Sequence, residues 1–153
     1  ISSMEISTIG HKEIFNRISR SGAPIMRNIT SSSIVFEGVA CGEDPGNTVM
    51  WTILGCPVNC IYLPLKVSDR DKLPFFMKET PGKEKSNICD NSLIIKGIYG
   101  YKRGCSDECR EIEKNIDLKF SKDISSLSHS ILLNKSYRRY MAMLRRKMPK
   151  ENY

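Results

Sequence analysis

The chain has 153 residues, which is the usual length of one domain, and 40% of them are hydrophobic and 27% charged. These proportions are typical of globular proteins and argue against a disordered or fibrous chain. No apolar run approaches the roughly 18 residues that a membrane-spanning helix needs. The first residues also lack the basic and apolar blocks of a secretory signal peptide. The sequence therefore predicts a single folded region over residues 1–153.

The net charge of +7 is concentrated near the C-terminus. No acid occurs between Asp123 and Glu151, and the basic residues outside this segment, 17 in number, are balanced by 17 acids. Two hypotheses follow: the segment contacts an anionic partner such as nucleic acid or a membrane, or it is a surface helix whose basic face meets water. The basic residues of the segment are Lys135, Arg138, Arg139, Arg145, Arg146, Lys147 and Lys150.

The sequence predicts an irregular N-terminal segment, called the lead-in here, followed by a sheet. Residues 1–30 have weak patterning and are predicted to be irregular. Residues 31–67 predict a three-strand antiparallel meander, because apolar and β-branched runs alternate with turn residues. The predicted strands are Ser33–Val39, Thr48–Leu54 and Cys60–Leu65.

The middle strand of this meander is apolar on both faces, so we expect it to be covered on both sides. One face carries Val49, Trp51 and Ile53, and the other carries Met50 and Leu54. The third strand contains Pro64, which has no backbone N–H to donate. This proline predicts that the third strand lies at an edge of the sheet or at a bulge.

The second half of the chain predicts a loop and then helices. Residues 68–90 predict a loop, and residues 91–150 predict mainly helix, starting with a short helix or strand at Asn91–Ile98. Two longer helices follow, and strands followed by helices predict an α+β fold. The apolar stripe of the first helix is Cys105, Cys109, Ile112, Ile116 and Phe120. The stripe of the second is Leu133, Tyr137, Tyr140, Met141, Leu144 and Met148, with Pro149 ending it.

The six cysteines do not predict a metal site or a nucleophile. The spacing of Cys56 and Cys60, like that of Cys105 and Cys109, occurs in zinc sites. However, Cys105 and Cys109 fall on a predicted apolar helix stripe, where a thiol behaves as a small hydrophobe, and Cys60 falls in a predicted strand. A cysteine nucleophile also needs a base, and His11 and His129 lie in no catalytic pattern. Both histidines are predicted to lie at the surface, and we expect no metal and no cofactor.

One stretch resembles a known family. The chain is similar here to the C-terminal region of bacterial N-terminal nucleophile hydrolases of the linear amide C–N hydrolase group, related to isopenicillin-N acyltransferase and choloylglycine hydrolase, in their Bacteroidetes form. About forty residues carry the specific match. The matching segments are Thr30–Ser33, the Gly-Glu-Asp-Pro turn Gly42–Pro45, Thr48–Thr52, Leu54–Pro57 and Pro64–Leu65, with a looser match at Pro24–Arg27.

The resemblance implies a four-layer α-β-β-α sandwich, in which two antiparallel sheets stack between helices. It also implies an amidohydrolase or acyltransferase in which an N-terminal cysteine attacks an amide carbonyl while its own α-amino group acts as the base. The acyl-enzyme then reacts with water or with another acceptor, and the sequence leaves these two outcomes open. By resemblance, the location is periplasmic or secreted.

The nucleophile that the family requires has no counterpart in this chain, because residue 1 is Ile and the first cysteine is Cys41. The expected partner is therefore an N-terminal half of the same enzyme, and the expected substrate is a small amide. The chain could also form homo-oligomers. We do not expect it to bind nucleic acid. We expect the isolated chain to be poorly folded or oligomeric, because its strands would lack their partner sheet.

By the same resemblance, Arg27, Thr30 and Ser31 are the candidate substrate-binding residues, since they lie where the chain enters the first strand. A guanidinium there could hold a substrate carboxylate. The alternative is that Arg27 pairs with a surface acid and the other two residues form a turn. A different function also stays open, that of a small α+β binding module whose basic C-terminal helix contacts an anionic partner.

Overall fold

The computed structural model describes residues 31–79, 82, 87–99 and 106–148. Within these residues the fold is mixed α+β, with a three-stranded antiparallel sheet followed by helices, and the predicted fold class is confirmed at this level. The lead-in predicted for residues 1–30 lies outside the described residues. The interpretation of 1–153 as a single region stays a prediction.

The sheet contains β1 (Ser32–Glu37), β2 (Val49–Leu54) and β3 (Leu63–Lys66), in the order β1-β2-β3. The third strand is shorter than predicted, since the buried residues from Cys60 to Tyr62 precede it. The reason is a competing hydrogen bond: the backbone N–H of Tyr62 donates to Glu113 Oε1 at 3.1 Å instead of joining the ladder.

Coverage of β2 on both faces is confirmed. Thr52 is buried on one face, and Trp51, only 1% exposed, is buried on the other. The Trp51 ring meets Tyr62 and Phe120 edge-on, with centroid distances of 5.6 and 5.3 Å. Its Nε1 donates to Glu37 Oε2 at 3.0 Å, so the indole is both packed and satisfied.

The edge position that Pro64 predicts for β3 is also confirmed. Pro64 lies opposite Trp51 in the register, and its carbonyl points away from β2 to the imidazole of His129, with Nε2 at 2.8 Å. A proline is tolerated at this position because its missing N–H would have faced outward from the sheet.

Three helices follow the sheet in the described residues: α1 (Asn87–Tyr99), α2 (Ser106–Lys119) and α3 (Ser126–Lys147). The predicted end of the loop at residue 90 is wrong, because α1 begins at Asn87. The segment before α1 also contains two 3-10 turns, Val67–Lys72 and Phe75–Met77. The short helix or strand predicted at Asn91–Ile98 is a helix of 13 residues.

The two predicted apolar stripes are largely confirmed. In α2, Cys109, Ile112 and Ile116 are buried, while Cys105 lies outside the described residues. Helix α3 starts at a cap, since the Ser125 hydroxyl accepts from the backbone N–H of Ser128 at 3.3 Å. Its buried face includes Leu133, Tyr137, Tyr140, Leu144 and, just beyond its end, Met148, and Met141 is half-buried.

The turn after β2 packs directly on α1. Gly55 has φ +125°, a backbone conformation that favours glycine, and its N–H donates to the Ser31 carbonyl at 2.7 Å. A Cβ at Gly55 would lie 2.5 Å from the Cβ and Oγ of Ser92. The hydroxyl of Ser92 accepts from the N–H of Cys56 at 2.8 Å, which fixes this approach.

We therefore expect Gly55→Ala to destabilise the fold by about 2–4 kcal/mol, through backbone strain and the collision with Ser92. Gly97→Ala is the matched control, because Gly97 is exposed within α1 and its added methyl group would meet no described atom within 4 Å beyond the adjoining helix backbone and neighbouring residues. That control should stabilise the protein by about 0.5–1 kcal/mol through helix propensity. Urea denaturation followed by circular dichroism measures both, and equal midpoints for the two variants would contradict this account.

Candidate functional site

A pocket of about 420 Å³ lies between β3, the 3-10 turn Val67–Lys72 and the start of α3. Its volume is within the range of small-molecule sites. Apolar side chains form most of its wall, and Asp69, His129 and Ser126 form a polar cluster on one side. The apolar residues are Leu65, Leu73, Pro74, Leu127 and Leu133.

The polar cluster is centred on the carboxylate of Asp69. Ser126 Oγ donates to Asp69 Oδ1 at 2.6 Å, and His129 Nδ1 lies 3.0 Å from Asp69 Oδ2. The other ring nitrogen of His129 lies 2.8 Å from the Pro64 carbonyl. The imidazole therefore lies between two acceptors, a carboxylate and a carbonyl.

The surface position predicted for His129 is wrong, since the residue is 3% exposed. Its partners Asp69 and Pro64 lie 60 and 65 residues earlier in the chain, so no local pattern could have revealed them. His11, the other histidine, lies outside the described residues.

The pKa of the Asp69 carboxyl is lower than its usual value of 3.8. Burial alone would raise this pKa, but the hydrogen bonds from Ser126 and His129, together with the charges of His129 and Lys66, favour the ionised form more strongly. The cluster is therefore a hydrogen-bonded network that joins the edge of β3, the following turn and α3.

This cluster does not have the geometry of a hydrolytic triad. In a triad the serine donates to the histidine, whereas the Ser126 hydroxyl donates to Asp69 and both nitrogens of His129 are already engaged. The imidazole could accept a proton from a nucleophile only after breaking one of these contacts. The cluster consequently positions secondary structure instead of supplying a base.

The cysteines near β2 are buried thiols. Burial is the main cause that raises the pKa of the Cys60 thiol to about 12, and its Sγ donates to the Leu54 carbonyl at 3.3 Å. Cys56 is fully buried, and the Asn59 amide lies 3.9 Å from its sulfur. Across the part of the chain that the structure describes, no group of three or more His, Cys, Asp or Glu side chains could hold a metal ion.

The structure tests little of the predicted substrate site. Arg27 and Thr30 lie outside the described residues. Ser31 is exposed, directly precedes β1, and is not among the pocket-lining residues. Its carbonyl accepts from the Gly55 N–H at 2.7 Å. Its role in substrate binding stays a prediction.

The outer face of β1 is apolar and exposed. Ile34 is 48% and Phe36 67% exposed, and they lie opposite Thr52 and Met50 in the register. Within the described residues the Thr52 hydroxyl is buried without a hydrogen-bond partner. An exposed apolar sheet face is typical of an interaction surface.

Comparison with protein-family models finds none that matches the chain, and the same holds for curated proteins and for solved structures.

The hydrogen bonds of Asp69 should make the free energy of unfolding depend on pH in the acid range. The pKa of Asp69 is lowered by folding, so its contribution to stability is present above its ordinary pKa and disappears as the pH falls through the folded value. We expect Asp69→Asn to destabilise the protein by about 1–3 kcal/mol at pH 7, because one donor to the carboxylate loses its acceptor. This difference from wild type should shrink steadily below pH 4.

Asp71→Asn is the matched control, since the Asp71 side chain is 91% exposed. It should change the free energy of unfolding by less than about 0.5 kcal/mol at any pH. Denaturation series between pH 3 and 8 measure both variants. A constant penalty for Asp69→Asn across that range would show that its charge has no part in stability.

A second prediction concerns thiol reactivity. Because the thiolate is the reactive form, iodoacetamide at pH 8 should label Cys60 at least about 100-fold more slowly than the exposed Cys41. Mass spectrometry of peptides from folded and denatured protein measures both rates. Equal labelling of the two cysteines in the folded protein would reopen Cys60 as a candidate nucleophile.

Proposed function

We propose that this chain forms the C-terminal portion of an N-terminal nucleophile amidohydrolase or acyltransferase that cleaves linear amide bonds. The nucleophilic cysteine would belong to an N-terminal portion of the same enzyme. The observation that carries the proposal is the exposed apolar face of β1, which lies within the segment that resembles the family.

The local roles of the resembling residues support a scaffold function. In the Gly-Glu-Asp-Pro turn, the Asp44 side chain accepts from the Gly46 N–H at 2.8 Å and starts a 3-10 turn at Pro45. In the next segment Trp51 packs against aromatic rings, and Gly55 allows α1 to approach. These residues position β1 and β2. A resemblance confined to them is therefore a resemblance in the residues that support the fold.

The finer fold that we propose is the four-layer α-β-β-α sandwich. Within the described residues β1 pairs with β2 alone, so its second edge could accept a further strand. A second sheet laid on the β1 face would cover the exposed side chains of Ile34 and Phe36. The open edge of β1 is the feature that favours a partner of β structure.

In this proposal the reaction is acyl transfer. The thiolate of the partner's N-terminal cysteine attacks the amide carbonyl, and the proton taken up by its α-amino group is delivered to the departing amine. Water or a second amine then cleaves the thioester. Arg27, Thr30 and Ser31 remain the proposed contacts for a carboxylate on the substrate, and the present chain supplies the sheet that backs the site.

The test begins with the DNA upstream of this chain, which should encode in frame a segment that begins, after processing, with cysteine. Coexpression of the two portions should give amidase activity that neither shows alone, and Cys→Ala at the upstream nucleophile should abolish it. The activity should depend on β1, because Ile34→Ser with Phe36→Ser removes apolar area from the proposed interface. We expect that double variant to weaken association at least about 10-fold.

Leu118→Ser is the matched control, because Leu118 is 85% exposed on α2 and lies outside the proposed interface. It should leave association and activity unchanged. The proposal fails if the isolated chain unfolds as a sharply two-state monomer and the β1 variant associates as strongly as wild type.

A further inference from the structure

Helix α3 carries a basic stripe, which we define as Lys135, Arg138, Arg139, Arg145 and Arg146. All five side chains are exposed. At 100° per residue they fall within an arc of about 120°, and they extend about 16 Å along the helix. No Asp or Glu occurs within α3, so no acid on the helix itself interrupts the stripe.

The neighbouring helix α2 places one acid, Glu108, near the C-terminal end of the stripe. Lys147 forms an ion pair with Glu108, and the hydrogen bond from Lys147 is the main cause that lowers the pKa of that carboxyl. The charge of Arg146 lowers this pKa less than the Lys147 hydrogen bond does, so this acid acts mainly on the residue just beyond the stripe. The outward face of α3 therefore has the charge needed to meet an anionic surface.

Two exposed apolar residues extend the same face toward the start of α3. Leu127 is 73% and Ile131 57% exposed, and helical geometry places them in line with Arg138. The tyrosines of the helix point the other way, with Tyr137 8% and Tyr140 0% exposed. Base stacking by these tyrosines is therefore ruled out, whereas exposed Leu and Ile gain free energy by entering lipid.

We propose that α3 docks this protein on an anionic lipid surface. The basic stripe meets headgroup phosphates, and Leu127 and Ile131 enter the boundary between headgroups and acyl chains. None of the described helices is long and apolar enough to cross a bilayer. This inference is independent of the proposed amidase function, since it uses a different surface.

The test uses the full chain and sedimentation with vesicles. We expect binding to vesicles of phosphatidylcholine containing 30% phosphatidylglycerol, and none to pure phosphatidylcholine. Arg138→Gln, Arg139→Gln and Arg146→Gln together should weaken binding on the order of 100-fold, because each basic residue near such a surface contributes about a factor of five. Raising the salt from 0.05 to 0.5 M should weaken binding of the wild type.

The matched control removes three exposed cations elsewhere, by Arg70→Gln, Lys78→Gln and Lys119→Gln. It has the same net charge as the stripe variant and should bind vesicles nearly as well as wild type. Equal losses in the two triple variants would overturn the proposal, since net charge alone would then explain the binding. Circular dichroism confirms that each variant keeps its helix content.

A second pair of measurements distinguishes lipid from nucleic acid. Leu127→Asn with Ile131→Asn should weaken vesicle binding at least about 10-fold while leaving all five charges in place. Binding to a 20-base-pair duplex DNA provides the comparison. Tighter binding to duplex DNA than to the anionic vesicles, or vesicle binding unaffected by the two asparagines, would overturn the lipid assignment.

Discussion

The burial of β2 on both faces is the constraint on which the rest of this structure depends. A strand with Trp51 on one side and Thr52 on the other must be covered by two different sets of side chains. The Trp51 side is covered by rings from the segment before β3 and from the end of α2. The turn that leaves β2 is held against α1 through Gly55 and Ser92. One central strand thus determines where two of the helices can lie.

The position of α3 depends on a different interaction, the contact of His129 with Pro64 and Asp69. A backbone carbonyl at a sheet edge needs a donor, and the proline at this position has left the edge without an N–H that could pair with another strand. His129 satisfies the carbonyl and, through its second nitrogen, holds the turn that follows β3. A second anchor lies farther along α3, where the Tyr140 hydroxyl donates to the Asn59 carbonyl at 2.7 Å. These two polar contacts fix the helix along the edge of β3.

Local periodicity predicted much of this arrangement. The alternation around Trp51 and the apolar stripes of α2 and α3 indicated the correct faces, because burial repeats with the period of the element. The position of β3 at an edge followed from the chemistry of Pro64 alone. What the sequence could not show was pairing over long distances: Glu113 shortens β3 by taking the Tyr62 N–H, and Asp69 draws His129 into the interior. Of the candidate substrate residues, only Ser31 lies in the described part of the chain, so the sequence argument for that site stands on resemblance.

The two proposed surfaces lie at opposite ends of the sheet, and this separation makes them compatible. The open edge and exposed face belong to β1, whereas α3 lies beyond β3, with β2 between the two strands. A partner sheet that covers Ile34 and Phe36 would therefore not have to displace α3 or approach the basic stripe. The chemistry of the surfaces also differs, since one is apolar and the other positively charged, so salt should weaken contacts at α3 and leave those at β1 largely unchanged. An enzyme completed at β1 would thus still present the basic face of α3 to an anionic membrane.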